Sequence, residues 1–179
     1  MPSPKAKPSD AISLLKSDHR KVESLFARYE KSKNRGVKAK LAREICLELS
    51  VHTTIEEELF YPAIKVTVDP DINDEAYVEH DGAKALIAEI LAGTPDDEFY
   101  DAKVKVLSEQ IKHHVKEEEQ RGGMFAQAKD DGDVDLVALG ATMRARKKVL
   151  AAEMKTAGVP TPTTRSMKGV RLEHSTPVA

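Results

Sequence analysis

One pattern occurs twice in this chain of 179 residues. Asp18-His19 returns as Glu79-His80, 61 positions later, and His52-Thr53-Thr54-Ile55-Glu56 returns as His114-Val115-Lys116-Glu117-Glu118, 62 positions later. The flanks agree: Glu56-Glu57-Glu58 runs into Leu59-Phe60, and Glu117-Glu118-Glu119 reaches Met124-Phe125 after a small insertion. Each half has room for two helices and a turn, so the repeat constrains the fold to a duplicated helical hairpin with equivalent polar residues in each copy.

The apolar residues keep helical time around that pattern. Pro8, Ser9 and Asp10 look like a helix start, since Ser9 or Asp10 can accept from free main-chain amides, and Ile12, Leu15, Val22, Phe26 and Tyr29 follow with His19 on their stripe. After the polar turn at Asn34 to Gly36 a second helix carries Leu41, Ile45, Leu49, Leu59 and Ala63, with His52 and Glu56 in phase, and stops near Asp69-Pro70. A third, from about Asp74 to Leu91, aligns Ala76, Ala83, Ile87 and Ile90 with His80 and ends at Gly93-Thr94-Pro95. A fourth is expected to start at Pro95-Asp96-Asp97 and run past Glu119, with Val104, Leu107 and Ile111 leading to His114 and Glu118, until Gly122-Gly123 interrupts it.

Beyond Gly132 a further helical segment holds Val134, Val137, Leu139, Met143, Val149 and Leu150, and from Thr156 the chain turns rich in Thr, Ser and Pro without an apolar period. The expected organisation is a flexible N-terminus over 1–9, a metal-binding four-helix bundle over 10–128, an appended helix over 132–155 and a disordered tail over 156–179. Composition supports one all-α domain: 32% charged residues, 40% hydrophobic, 4% aromatic and no Trp suit a surface-rich helical protein. A net charge of -2 and a pI near 6.3 offer no general attraction to phosphate, so nucleic acid is not an expected partner. No run approaches the ~20 apolar residues needed to span a bilayer. The start lacks a signal peptide's apolar region, and one cysteine, Cys46, cannot form an internal disulfide, so a reducing cytoplasm is expected.

In a helix, residues i and i+4 share a face with Cβ atoms ~5–6 Å apart, so each HxxxE unit can aim an imidazole and a carboxylate at one point. These groups occupy apolar stripes, where an unpaired carboxylate is costly unless a metal or a hydrogen-bonded partner compensates it. His19, His52, Glu56, His80, His114 and Glu118 are therefore the candidate metal ligands. Imidazole with carboxylate suits iron, zinc, copper or manganese, and no cysteine sulfur converges to favour an iron–sulfur cluster or a thiolate zinc site.

The order H, HxxxE, H, HxxxE over about residues 10–128 resembles the haemerythrin-like HHE cation-binding family. So do the strings Leu14-Leu15-Lys16-Ser17-Asp18-His19, Glu56-Glu57-Glu58-Leu59-Phe60-Tyr61-Pro62 and His113-His114-Val115-Lys116-Glu117-Glu118-Glu119. The resemblance implies an up-down-up-down bundle holding two iron ions, an oxo- or hydroxo-bridged centre on the six candidate ligands, which binds or reacts with O2, peroxide or nitric oxide. Two positions depart from the oxygen-carrying invertebrate haemerythrins: Lys84 stands where they use a further histidine, and Glu118 where they use an aspartate. The pattern is closer to the bacterial and regulatory members, for which sensing, iron handling, or peroxide and nitric-oxide chemistry are proposed. Rival readings are a metal-responsive sensor or interaction module reporting to a partner protein or a second copy, and a zinc or manganese buffer without turnover.

Several neighbours are read as lying outside the ligand set. His113 turns ~100° away from His114. Glu23, one turn after His19, is a possible extra ligand but more simply an exposed ion pair. Tyr29, Tyr61 and Tyr77 fit aromatic packing, although a phenol could reach the centre. Glu57, Glu58, Glu117 and Glu119 read as a solvated acidic face, and Arg144, Arg146, Lys147 and Lys148 as a basic cluster late in the fifth helix.

Overall fold

A computed structural model describes residues 10–130 and 132–169 of the chain. It contains helices α1 (Ala11–Lys31), α2 (Arg35–Ile55), α3 (Tyr61–Ile64), α4 (Pro70–Ala92), α5 (Tyr100–Glu119), α6 (Met124–Asp130) and α7 (Leu136–Ala157), with a π-turn at Glu56–Phe60 joining α2 to α3. No strand occurs among the described residues.

Side-chain caps set the helix starts. Asp10 accepts from Ser13 N at 2.7 Å, Asn34 from Val37 N at 3.0 Å, and Asp69 from Asp71 N at 3.0 Å just ahead of Pro70. Such caps contribute about 1 kcal/mol each. The fourth helix begins later than Pro95-Asp96-Asp97. Asp97 instead accepts from Thr94 N at 2.7 Å and Thr94 Oγ1 at 3.0 Å, closing a turn, and α5 starts at Tyr100 after Phe99 in the left-handed region. Gly122 (φ +75°) and Gly123 end α5 sharply: a Cβ at Gly123 would clash with the Glu117 carbonyl oxygen.

The core divides into two apolar clusters. One gathers Ile12 and Leu15 of α1, Ile55 beyond His52, Phe60, Tyr61, Tyr77, Met124 and Phe125, and is covered by Met143 and Leu150 of α7. The other gathers Val22 and Phe26 of α1, Ile45 and Leu49 of α2, Ile87 of α4, and Leu107 and Ile111 of α5. The start of α1 and the end of α2 share the first cluster, and the end of α4 and the start of α5 share the second, so the four helices run up, down, up and down. Fully burying each Leu or Ile contributes about 1.5–3 kcal/mol, and the gap between the clusters falls at the four repeated histidines. The fifth helix, α7, lies on α1 and α2. Cys46 is buried in the second cluster, and burial pushes its thiol up to about 12, so it packs as a small hydrophobe.

Candidate metal centre

All six candidate ligands are buried, none more than 5% exposed, and they converge. One group combines His19, His52, Glu56 and Glu118, and the other Glu56, His80 and His114, with ligand atoms within 4.8 Å of one another in each. His19 Nε2 lies 3.2 Å from His52 Nε2, and His80 Nε2 lies 3.2 Å from His114 Nε2. Glu56 Oε2 sits 3.1 Å from His52 and 3.4 Å from His80, while Glu118 lies 3.3 Å from His19 and 3.6 Å from His114. Each carboxylate thus stands between imidazoles of both halves of the repeat.

The outer nitrogens of three histidines are committed to carboxylates. His19 Nδ1 meets Glu119 at 2.7 Å, His80 Nδ1 meets Glu57 at 2.9 Å, and His114 Nδ1 meets Glu79 at 2.7 Å. His52 Nδ1 faces Asp18 at 3.6 Å without a hydrogen bond. An ionised carboxylate only accepts, so Nδ1 of His80 and His114 must carry the hydrogen, and in the neutral rings both Nε2 lone pairs point at each other across 3.2 Å. That approach is repulsive unless a cation, a proton or a metal ion, lies between them.

The metal-free electrostatics say the same. Burial alone would pull His52 and His114 down. Glu56 with Asp18 overrides it for His52, which stands at about 10, and Glu118 with Glu79 and Glu56 for His114, at about 9. Burial raises Glu56, but His52 and His80 hold it well below the usual carboxylate range. Five of the six buried side-chain polar atoms without a hydrogen bond among the described residues lie in this layer: Glu56 Oε1 and Oε2, Glu118 Oε2, His52 Nδ1 and Asp18 Oδ2. Inward lone pairs, unsatisfied carboxylate oxygens and carboxylate-backed imidazoles fit a bound cation.

Tyr61 also enters the layer, through the π-turn. Its N–H bonds the Glu56 carbonyl five residues back, which stacks Tyr61 over Glu56, where a regular α-helix would turn it aside. Its hydroxyl lies 3.2 Å from His80 Nε2 and 3.2 Å from Glu118 Oε1. Burial and the charges of Glu56 and Glu118 raise this phenol well above its ordinary value, so in the metal-free chain it is a neutral donor to Glu118. The apolar stripe after the π-turn is accordingly Phe60, Tyr61 and Ile64, with Leu59 and Ala63 only partly buried.

Glu57 and Glu119 back imidazoles, contrary to their reading as a solvated face. Their signal was in the repeat: Asp18 matches Glu79, and Glu57 matches Glu119, at the same 61- and 62-residue offsets. His113 is 61% exposed in its side chain and pairs with Glu117 at 3.1 Å. Glu23 lies outside the layer beside Arg20 at 3.5 Å. Tyr29 bonds Asp101 at 2.6 Å in the far cluster. Lys84 holds Glu57, at 2.7 and 2.9 Å, and Asp81 at 3.2 Å.

Three comparisons bear on this arrangement. Residues 10–122 match the family described as Hemerythrin HHE cation binding domain. The fold resembles the crystal structure of a hemerythrin HHE cation binding domain-containing protein, an Rv2633c homolog from Mycobacterium kansasii, with a TM-score of 0.70, 23% identity, and coverage of 83% of this chain and 94% of that one. A DNA nickase of Nostoc sp. (strain PCC 7120 / SAG 25.82 / UTEX 2576) is 27% identical over 106 residues, which span 59% of this chain and 30% of that protein.

Proposed function

The chain belongs to the hemerythrin HHE cation-binding domain family, and from that premise we propose that its buried polar layer holds two iron ions and serves a reaction with O2, peroxide or nitric oxide. His19 and His52 would hold one ion and His80 and His114 the other, with Glu56 and Glu118 shared between them. The observation that carries this reading is the pair of 3.2 Å approaches between inward Nε2 atoms. When bound, the ions would supply Lewis acidity and electrons.

The chain's own residues supply orientation, exclusion and one hydroxyl. Glu57, Glu79 and Glu119 fix which nitrogen of each partner imidazole faces inward. Phe125 stacks on His19 with centroids 5.9 Å apart, and the two apolar clusters wall the layer from bulk water. The void bounded by His19, His52, Thr53 and His114 is about 10 Å³, room for about one water and none for an organic substrate. Tyr61 O–H stands within reach of anything bound beside His80 and Glu118. A cleft of about 500 Å³ bounded by Tyr61, Asn73, Tyr77 and Arg165 supports an approach from that side. Among the described residues no helix is long and apolar enough to cross a membrane, and a reducing cytoplasm would keep Cys46 as a thiol.

The test is metal analysis with the visible spectrum of aerobically purified protein, before and after dithionite. About two irons per chain, with near-ultraviolet charge-transfer bands that bleach on reduction, is the expected result. A colourless protein holding zinc would replace the di-iron reading with metal buffering, and one holding no metal would leave an interaction module.

A further inference from the structure

The family match ends at residue 122, yet the chain beyond it reaches back to the polar layer from two sides. On the first, Arg146 of α7 grips Glu58 through two bonds of 2.7 and 2.9 Å, and the adjacent Lys147 bonds Asp18, the carboxylate that faces His52 Nδ1. The basic cluster of the fifth helix is thus partly turned onto the bundle.

On the second, the segment after α7 crosses to α4. Main-chain N–H of Arg165 at 2.8 Å, N–H of Ser166 at 2.6 Å and the Ser166 hydroxyl at 2.7 Å all donate to one oxygen of Asp81. Asp81 is fully buried and follows His80 directly. Its other oxygen receives Lys84, which also holds Glu57, and Glu57 receives His80 Nδ1. Arg165 further covers the Tyr77 ring at 4.2 Å, and Tyr77 packs edge-on against Tyr61.

Lys84 is therefore shared between two carboxylates, one of which the Ser166 loop also holds. While the loop satisfies one oxygen of Asp81, Lys84 is free to bond Glu57. With those donors withdrawn, Asp81 would compete more strongly for Lys84, and Glu57 would lose part of the cation that holds it on His80.

We propose that residues 136–167 form a clasp that positions the imidazoles of the metal centre, acting on His80 through Ser166, Asp81, Lys84 and Glu57, and on His52 through Lys147 and Asp18. The inference rests on reading the polar layer as a two-metal site. Lys84 and Lys147 are positioning residues, since neither touches the inward-facing atoms.

The experiment titrates the metal-free 179-residue chain with ferrous iron under anaerobic conditions against a competing chromogenic chelator, with circular dichroism on each variant. Cobalt(II) is titrated in parallel, because its ligand-field bands report imidazole placement independently of any turnover. In Lys84→Met one of the two binding steps is expected to weaken about 10–100-fold, the usual effect of losing a group that backs a ligand, while the other step is unchanged. Ser166→Pro, which removes both the N–H and the hydroxyl, weakens the same step and adds nothing to Lys84→Met, whereas Lys84→Arg restores it. Lys147→Met weakens the other step and combines additively with Lys84→Met. Unchanged steps and unchanged cobalt bands in Lys84→Met, with a wild type that binds two ions, overturn the clasp alone. Both steps falling together with helix content reduce it to a strap for stability and also overturn it. A wild type that binds neither metal overturns the site and the clasp together.

Discussion

His114 has one nitrogen on Glu79 and the other facing His80, whose own outer nitrogen is on Glu57, so this pair has to take up a cation, and in the metal-free chain that cation is a proton. His52 at about 10 and His114 at about 9 are protonated at neutral pH, so metal must displace them. Calorimetric titration at pH 7.5 in buffers of different ionisation enthalpy should therefore show release of about two protons per loaded chain. The same shifts set the stability of the metal-free protein. His52 and His114 are raised from 6.5 by folding, so their contribution is complete below pH 6.5 and is lost as pH climbs through about 9 and about 10. Glu56 and Glu57 are lowered from 4.5, so theirs is present above pH 4.5 and is lost as pH falls through their depressed values. With a chelator present, the unfolding midpoint should be highest between pH 4.5 and 6.5 and should decline towards pH 10; a midpoint rising from pH 7 to 10 would contradict the assignment. Substitution separates ligand from neighbour. His52→Ala and Glu118→Ala should each sharply lower bound metal, measured by elemental analysis, whereas His113→Ala should keep most of it, since His113 is exposed and pairs with Glu117.

At the scale of the element, two local breaks in helical regularity hold the site. The π-turn at Glu56–Phe60 adds one residue to a turn and swings Tyr61 over Glu56. Tyr61→Phe keeps the ring in its apolar cluster but leaves Glu118 without that donor, and should lower metal-free stability by about 1.5–3 kcal/mol in urea unfolding. The second break is Gly122-Gly123. Gly123→Ala would press a Cβ against the Glu117 carbonyl, so the end of α5 has to move, taking Glu118 and Glu119 with it. The expected outcome is a loss of about 1–3 kcal/mol, accompanied by weaker metal uptake; a variant that binds metal like the wild type would show that α5 tolerates the shift.

Over the whole molecule the two halves are alike inside and unlike outside. The equivalent pairs Asp18 with Glu79 and Glu57 with Glu119 each serve an imidazole of the opposite or adjacent helix, so the layer keeps an approximate twofold pattern. The C-terminal region breaks it. α7 covers α1 and α2, while the Ser166 loop lands on α4, so each half of the centre is backed by a different device.

The repeat and the apolar periodicity determined which helices form, which face of each is buried and which six side chains point inward, because those properties depend on residues three, four and seven apart on one helix. The up-down-up-down order came from the family resemblance, and the four bundle helices run that way, with α5 starting later than expected. The partners of the outer nitrogens lay in the same repeat, but the acidic runs look identical whether they face water or an imidazole. Other features had no local signature. The π-turn depends on what Tyr61 gains by reaching His80 and Glu118, 19 and 57 positions away, and the start of α5 on Asp97 closing its own turn. The Ser166 loop finds Asp81 across 85 residues, in a stretch whose Thr, Ser and Pro composition shows no apolar period. Helical phase is written in neighbouring residues and can be read from them; the choice of a buried carboxylate's donors is made only when distant segments compete for it in the folded chain.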